Sequence, residues 1–302
     1  MRLLFSARQG VRGKLSFMPA SRSENVKLQE RDVSLLVDLL ESRVLSLDHI
    51  HTLHFPEKYE MAKKRVRRLK AAGYLTERPR RIGEPSMLHL TWKGYSALRT
   101  GGHVGEDAAL SPQTFTRRMG VSAQMLAHEL MIGDVKSAFT TAVGNSERFS
   151  DLNFDVWPRR YEFVVNRDNR RVTVKPDGHI RFVEKNDSEE FEYHYFFEAD
   201  TGSETLDRVV EKCVNYRRGG YAVFCGGTED EYKSHPFRVL VVCQSEKRRN
   251  NLAERLLQVD PPFSTMILLT TLADCVADTL GQIWMTAGSL KQGYSARNVR
   301  II

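Results

Sequence analysis

The segment EKYEMAKKRVRRLKAAG, residues 57–73, is compatible with few folds. Read as a helix, it has one narrow apolar seam, Ala62, Val66 and Leu69, surrounded by Lys63, Lys64, Arg65, Arg67, Arg68 and Lys70. A helix with so thin a stripe cannot sit at the centre of a core. It rests one edge on its neighbours and leaves the charged remainder in solvent. Gly73 then supplies a stop, because glycine adopts the left-handed backbone that ends many helices without a steric cost.

Two helices are predicted ahead of it. In QERDVSLLVDLLESR, Val33, Leu36, Val37 and Leu40 recur at helical spacing and mark a core-facing stripe. Ser46 is the expected N-cap of LDHIHTLHF, which Pro56 breaks. His49, His51 and His54 cluster there without a second group of ligands, so core or surface roles are expected, not a metal site. After Gly73, YLTERPRRIGEPSMLHLTWKG predicts strand, basic turn and strand. Helix, helix, basic helix and two-stranded wing is the order of a winged helix-turn-helix, expected over residues 29–100.

Charge concentrates in this unit. Between Pro56 and Arg99 there are twelve Lys or Arg against four Glu, a local excess of eight that exceeds the formal net charge of +7 for all 302 residues. Such a face can neutralise phosphates of double-stranded DNA and release condensed counterions. Lys63, Lys64, Arg65, Arg67, Arg68, Lys70, Arg80 and Arg81 are the expected contacts. The plainer alternative is a solvated helix face.

Residues 101–118 are rich in small and turn-forming residues and read as a linker. A second domain is expected over residues 119–288, mixed α/β (α+β) in class. It opens on the helical stretch VSAQMLAHELMIGDVKSAFTTAV, with Met125, Ile132, Val135 and Phe139 along one stripe and Glu129 on the same stripe. A carboxylate on an apolar face needs a partner, whether arginine, backbone or metal. Strands follow at RYEFVV, RVTVKPD, HIRFVEK and EFEYHYFFEAD.

Alternation in the last strand puts Glu198 and Asp200 on one face, and the preceding hairpin can return Asp177 to the same corner. Grouped carboxylates repel unless protons or cations intervene, so this corner suits Mg²⁺ or Mn²⁺ and the hydrolysis of a phosphodiester. An acidic surface hairpin is the alternative. In the next helix, SETLDRVVEKCVNYRRGGY, Leu206, Val209, Val210 and Cys213 form the expected packing side, with Arg208, Lys212 and Tyr216 opposite. Lys212 is placed to offer a cation to a phosphate. YAVFC and FRVLVVC are expected strands, and KRRNNLAERLLQV an amphipathic helix.

The order of LQERDVSLLVDLLESRVLSLDHIHTLHF, AKKRVRRLKAAGYLTERP, LHLTWKGYSALR, LAHELMIGDV, VKPDGHI and FFEADTGSETLDRVVEKCVNY resembles the replication-relaxation proteins of plasmids and other mobile elements. The resemblance runs from about Gln29 to Cys243. It implies a winged helix joined to a restriction-endonuclease-like α/β domain of the PD-(D/E)XK type, and a role in plasmid replication, DNA relaxation or mobilisation. It also implies catalytic positions at Asp177, Glu198, Asp200 and Lys212, and metal ligands at Glu129, Asp177 and Glu198. The wider nuclease superfamily carries a lysine where this chain has Asp200, so metal-dependent nicking, with Mg²⁺ or Mn²⁺, is one expectation. A winged-helix regulator with an inert dimerisation or sensing domain is another. A relaxase or replication initiator is an expected protein partner, and a homodimer is compatible with either reading.

The remaining features bound the class. MRLLFSARQGVRGKLSF lacks a continuous apolar core and reads as a basic arm over residues 1–28, and SLKQGYSARNVRII as a basic tail over 289–302. The most apolar stretch, FSTMILLTTLADCVADTL, is interrupted by Asp274 and Asp278, so no membrane span is expected. Cys213, Cys225, Cys243 and Cys275 show no paired spacing and read as buried thiols of a cytoplasmic protein.

Overall fold

The thin seam of the basic helix does rest on two earlier helices. The computed structural model describes residues 26–156, 163–167, 170–185, 190–224, 237–263 and 265–292. Its first elements are α1 (Glu30–Ser42), β1 (Leu45–Ser46), α2 (Leu47–His54), α3 (Tyr59–Ala71), β2 (Leu75–Glu77), β3 (Met87–Leu90) and α4 (Trp92–Thr100). The strands form a small antiparallel sheet in the order β1-β3-β2. Ser46 caps α2, accepting from the His49 backbone N–H at 3.0 Å. Ala62, Val66 and Leu69 are buried, and Gly73 sits at φ +80°. On α1 the buried leucines are Leu35, Leu36, Leu39 and Leu40, whereas Val33 and Val37 are half-buried. The predicted stripe is therefore rotated, because α1 is apolar over more than one side.

The expected linker is built into this first unit. Residues 106–108 form a 3₁₀ turn and α5 spans Pro112–Met119. Phe115 of α5 packs against the rings of Trp92 and Tyr95, with centroids 5.5 and 5.2 Å away. One aromatic residue among small and polar ones was enough to anchor the segment.

Next come α6 (Ala123–Gly144), β4 (Phe149–Asp155), β5 (Phe163–Arg167), β6 (Arg170–Val174), β7 (Gly178–Lys185), β8 (Glu190–Asp200) and α7 (Leu206–Phe224). They are followed by β9 (Phe237–Cys243), α8 (Glu246–Leu257), β10 (Ile267–Thr271), α9 (Leu272–Asp278) and β11 (Met285–Thr286), and the chain is then in a 3₁₀ turn at Ala287–Gln292. Six strands make one sheet in the order β11-β10-β9-β8-β7-β4, while β5 and β6 pair separately. The β4, β7 and β8 strands run antiparallel, and β8, β9 and β10 run parallel. The molecule is thus mixed α/β, as expected.

Both faces of the sheet are covered. On one, α6 and α9 pack through Ile132, Val135, Phe139 and Cys275 onto Phe182, Tyr195 and Phe197. On the other, α7 and α8 pack through Val209, Cys213, Tyr216, Leu252 and Leu256 onto Phe196, Val239 and Val241. Residues 195–200 of β8 are consequently buried without a break, as befits a central strand with a parallel neighbour.

Three further expectations do not hold. Met125, placed on the core stripe of α6, is 42% exposed, because the first turns of that helix extend past the sheet. Tyr221 to Phe224, expected as strand, continue α7, since a four-residue apolar run carries no period that separates strand from buried helix. Tyr216 and Lys212 do not oppose the packing side of α7. Tyr216 is fully buried with Val209 and Cys213, Lys212 is half-buried, and of the three Arg208 alone points well into solvent. Residues 1–25 of the basic arm, Cys225 and residues 293–302 of the tail lie outside the described residues. Among the described residues no helix is long and apolar enough to cross a membrane.

Candidate functional site

Where β7 begins and β8 ends, the sheet opens into a cleft of about 180 Å³. Asp177 sits immediately before β7 and is tied to β8 twice. Its backbone N–H donates to Phe197 O at 3.0 Å, and its Oδ2 accepts from the Ala199 N–H at 2.9 Å. Glu198 projects from β8 toward α7, where Lys212 Nζ donates to its Oε2 at 3.1 Å and the Tyr216 hydroxyl donates to its Oε1. Lys212 also reaches Glu204 Oε2 at 3.3 Å. Thus Asp177, Glu198 and Lys212, read separately from the sequence, line one cleft.

The electrostatics of this group are uneven. Burial and the neighbouring Asp177 carboxylate push Glu198 up to about 8. Burial acts against charge on Asp177 as well, but His128 and Lys212 outweigh it and hold that carboxyl below its usual range. Burial likewise opposes the Lys212 ammonium, which Glu198 and Asp177 nevertheless keep protonated above its ordinary range. Near neutral pH Glu198 is therefore protonated, and the Asp177 carboxylate faces the Lys212 ammonium and His128. A hard divalent cation would have Asp177 and an ionised Glu198 as its oxygen donors here.

The other two expected carboxylates are paired with arginines, Asp200 while still lining the cleft and Glu129 away from it. Asp200 faces the same side of the sheet as Glu198 but is held by Arg248 of α8, from Nε to Oδ2 at 2.7 Å and from Nη2 to Oδ1 at 3.1 Å. Glu129 does not line the cleft and accepts from Arg43 Nη1 at 2.8 Å. The physical reason is rotation: successive residues on a helix point about 100° apart, and at this turn His128 takes the cleft side. Its Nε2 lies 3.0 Å from Asp177 Oδ2, while its Nδ1 is buried with no hydrogen-bond partner. Burial works against the imidazolium, yet Asp177 raises the His128 pKa. Among the described residues no group of three or more His, Cys, Asp or Glu is arranged to hold a metal ion, so Glu129, Asp177 and Glu198 are not a preassembled triad.

The basic face divides in the same way. Lys63, Lys64, Arg67 and Arg68 are exposed on α3 and Arg80 and Arg81 on the hairpin. Arg65 instead turns inward, donating from Nε to the buried Asp32 at 2.7 Å and from Nη2 to Lys27 O at 3.1 Å. Lys70 donates to Glu77, which also accepts from Ser86 and Arg80, and these bonds hold the Glu77 carboxyl down at about 2. The two half-buried cations thus tie α3 to α1 and to the hairpin.

The replication-relaxation family model matches residues 36–225, which take in α3, the hairpin, α6 and the whole β7-β8-α7 corner. The chain belongs to the replication-relaxation family. No curated protein and no solved structure gives a significant match. Asp177, Glu198, Lys212 and Tyr216 lie inside the segment matched to the replication-relaxation family, whereas Arg248, the partner of Asp200, lies beyond it. His128 and Arg248 escaped sequence reasoning. A histidine beside Glu129 on a sheet-packing helix was the one available signal for the first. A basic helix directly after a sheet strand was the signal for the second.

Proposed function

We propose that this chain is a DNA-binding protein of mobile-element replication, relaxation or mobilisation, with a phosphodiester site of the restriction-endonuclease type in its second unit. The observation that carries the reading is the convergence of Asp177, Glu198 and Lys212, from two strand ends and a crossover helix, in one cleft. The order of α6, antiparallel β4-β7-β8, α7 and parallel β9 supports the nuclease-like comparison. Helix α3 and the β2–β3 hairpin support the winged-helix reading, with Lys63, Lys64, Arg67, Arg68, Arg80 and Arg81 toward phosphates.

In the cleft, Asp177 and Glu198 would hold Mg²⁺ or Mn²⁺, which neutralises phosphoryl charge and acidifies a bound water. The chain's own groups have distinct parts. His128 and the Ala199 N–H fix the Asp177 carboxylate, and Tyr216 fixes Glu198. Lys212, which lines the same cleft, would present its ammonium to the phosphate in place of the strand lysine that is absent at Asp200. One observation favours a second reading, a DNA-binding accessory factor that does not cut: both Glu198 oxygens already accept hydrogen bonds from Lys212 and Tyr216.

Calorimetric titration with Mn²⁺, alongside duplex binding across a salt series, tests the proposal. The expected outcome is one site per chain, lost in Asp177→Ala, with duplex affinity unchanged by that substitution. Absence of Mn²⁺ binding supports the accessory reading, and absence of salt-dependent duplex binding contradicts both.

A further inference from the structure

The basic hairpin and the acidic cleft meet on opposite sides of the first turns of α6. On one side, Leu126 and Leu130 pack with Val121 against Val44 and Met87, the residue that leads from the β2–β3 turn into β3. Arg78, where β2 gives way to that turn, donates from Nη1 to Val121 O at 2.8 Å, and Arg43 donates from Nε to Arg118 O at 2.9 Å. On the other side, Gln124, Met125 and His128 form a lip of the cleft. Helical spacing accounts for the division, since residues four apart share a face and residues two apart do not.

The turn end of the hairpin and the cleft are therefore separated by about one helix diameter, ~10–12 Å. A turn of B-form DNA spans ~34 Å. The separation is also held in place: Lys136 of α6 donates to Asp38 of α1 at 2.7 Å, Glu129 pairs with Arg43, and His49 of α2 lies 2.8 Å from Asp134. His49 leaves no room for a side chain at position 133, where a Cβ on Gly133 would lie 2.6 Å from its ring. The two units are packed together, not strung on a flexible tether.

We infer that the hairpin and the cleft address one continuous duplex, so that DNA held by α3 and the hairpin passes the cleft within about one helical turn, ~10 base pairs, at a fixed offset. The inference rests on the proposed reading of both surfaces and adds to it their register. A strand event in the cleft then occurs at one defined distance from the bound element, to one side of it. The competing arrangement, in which the units hold two separate duplexes, would give no such register.

Tethered cleavage separates these cases. Met125→Cys, at an exposed position on the lip, carries an iron–EDTA chelate in a Cys225→Ser background; Cys213, Cys243 and Cys275 are buried. The probe is a duplex selected by the wild-type chain from a random-sequence pool. The expected result is a single cluster of hydroxyl-radical cuts within ~10 base pairs of one edge of the wild-type footprint. Gln124→Cys should give the same cluster. A chelate at Val276→Cys, an exposed site beside the C-terminal half of α6, should give none. An intact footprint with no cluster from either lip position, or with equal cutting from Val276→Cys, overturns the inference alone. No wild-type footprint overturns the DNA-binding reading and the inference with it.

Discussion

Arg248 grips both oxygens of Asp200, at 2.7 and 3.1 Å, and fastens α8 to the end of the central strand. Asp200 is 5% exposed and also accepts from the Gly202 N–H at 3.1 Å. A guanidinium from another helix neutralises this carboxylate, at the position where the resemblance to nucleases implies a lysine. Arg248→Ala strands a buried charge, which costs about 3 kcal/mol when one partner of such a pair is removed. Urea denaturation should show that loss, and Arg248→Ala with Asp200→Asn should recover part of it. An unchanged midpoint in Arg248→Ala would mean that the pair does not fasten α8 to the strand.

Glu198, pushed up to about 8 by burial and by Asp177 against an ordinary value of 4.5, sets a pH dependence. Between these values the folded chain holds a proton that the unfolded chain has released, so stability falls as pH rises through that window. Below pH 4.5 both states are protonated, and above 8 the penalty is complete. Glu198→Gln stays neutral throughout, so its stability relative to the wild type should improve from about pH 5 to about pH 9. Parallel pH profiles for the two proteins would contradict the assignment.

Asp38 behaves in the opposite sense. Burial alone would raise it, but Lys136 and His54 hold it at about 2, against an ordinary 3.8. Its ionisation stabilises the fold above pH 3.8, and that stabilisation is lost as pH falls toward 2. Asp38→Asn should cost about 2 kcal/mol near neutral pH and far less near pH 2. Thermal melts across that range read the difference. A cost independent of pH would exclude the ion pair as its source.

On α3 the cations divide by role. Replacing Arg67 and Arg68 together by Ala should lower the slope of log affinity against log salt by about 2 and leave the melting temperature in place. Arg65→Ala, which removes the partner of the buried Asp32, should instead lower the melting temperature. Electrophoretic shifts over a salt series and thermal melts distinguish the two. Reversed outcomes would exchange the surfaces assigned to phosphate and to packing.

Local pattern in the sequence carried the helices, the hairpin and the same-face placement of Glu198 and Asp200, because each depends on spacing within one element. Asp177 was legible for the same reason, as it returns to β8 through a short hairpin. The contacts between distant segments were not. Asp200 with Arg248, Asp177 with His128 and Glu129 with Arg43 join residues far apart in the chain, and no local period encodes which side of α6 or α8 meets which strand. Single-residue anchors such as Phe115, and the rotation that exchanged His128 for Glu129 at the cleft, were hidden for the same reason.

Asp177, Glu198 and Lys212 are proposed to form a phosphodiester site in a DNA-binding chain. Incubating purified protein with supercoiled plasmid and Mg²⁺ or Mn²⁺ at several pH values, and following conversion to the open circle, tests it most directly. The expected result is slow nicking that Asp177→Ala and Glu198→Ala abolish and Lys212→Ala slows by ~10²-fold, the scale for loss of one preorganised electrostatic stabiliser. Plasmid binding should persist in all three variants. Wild-type protein that binds the plasmid yet leaves it supercoiled with both metals, or nicking that survives Asp177→Ala, would contradict the claim.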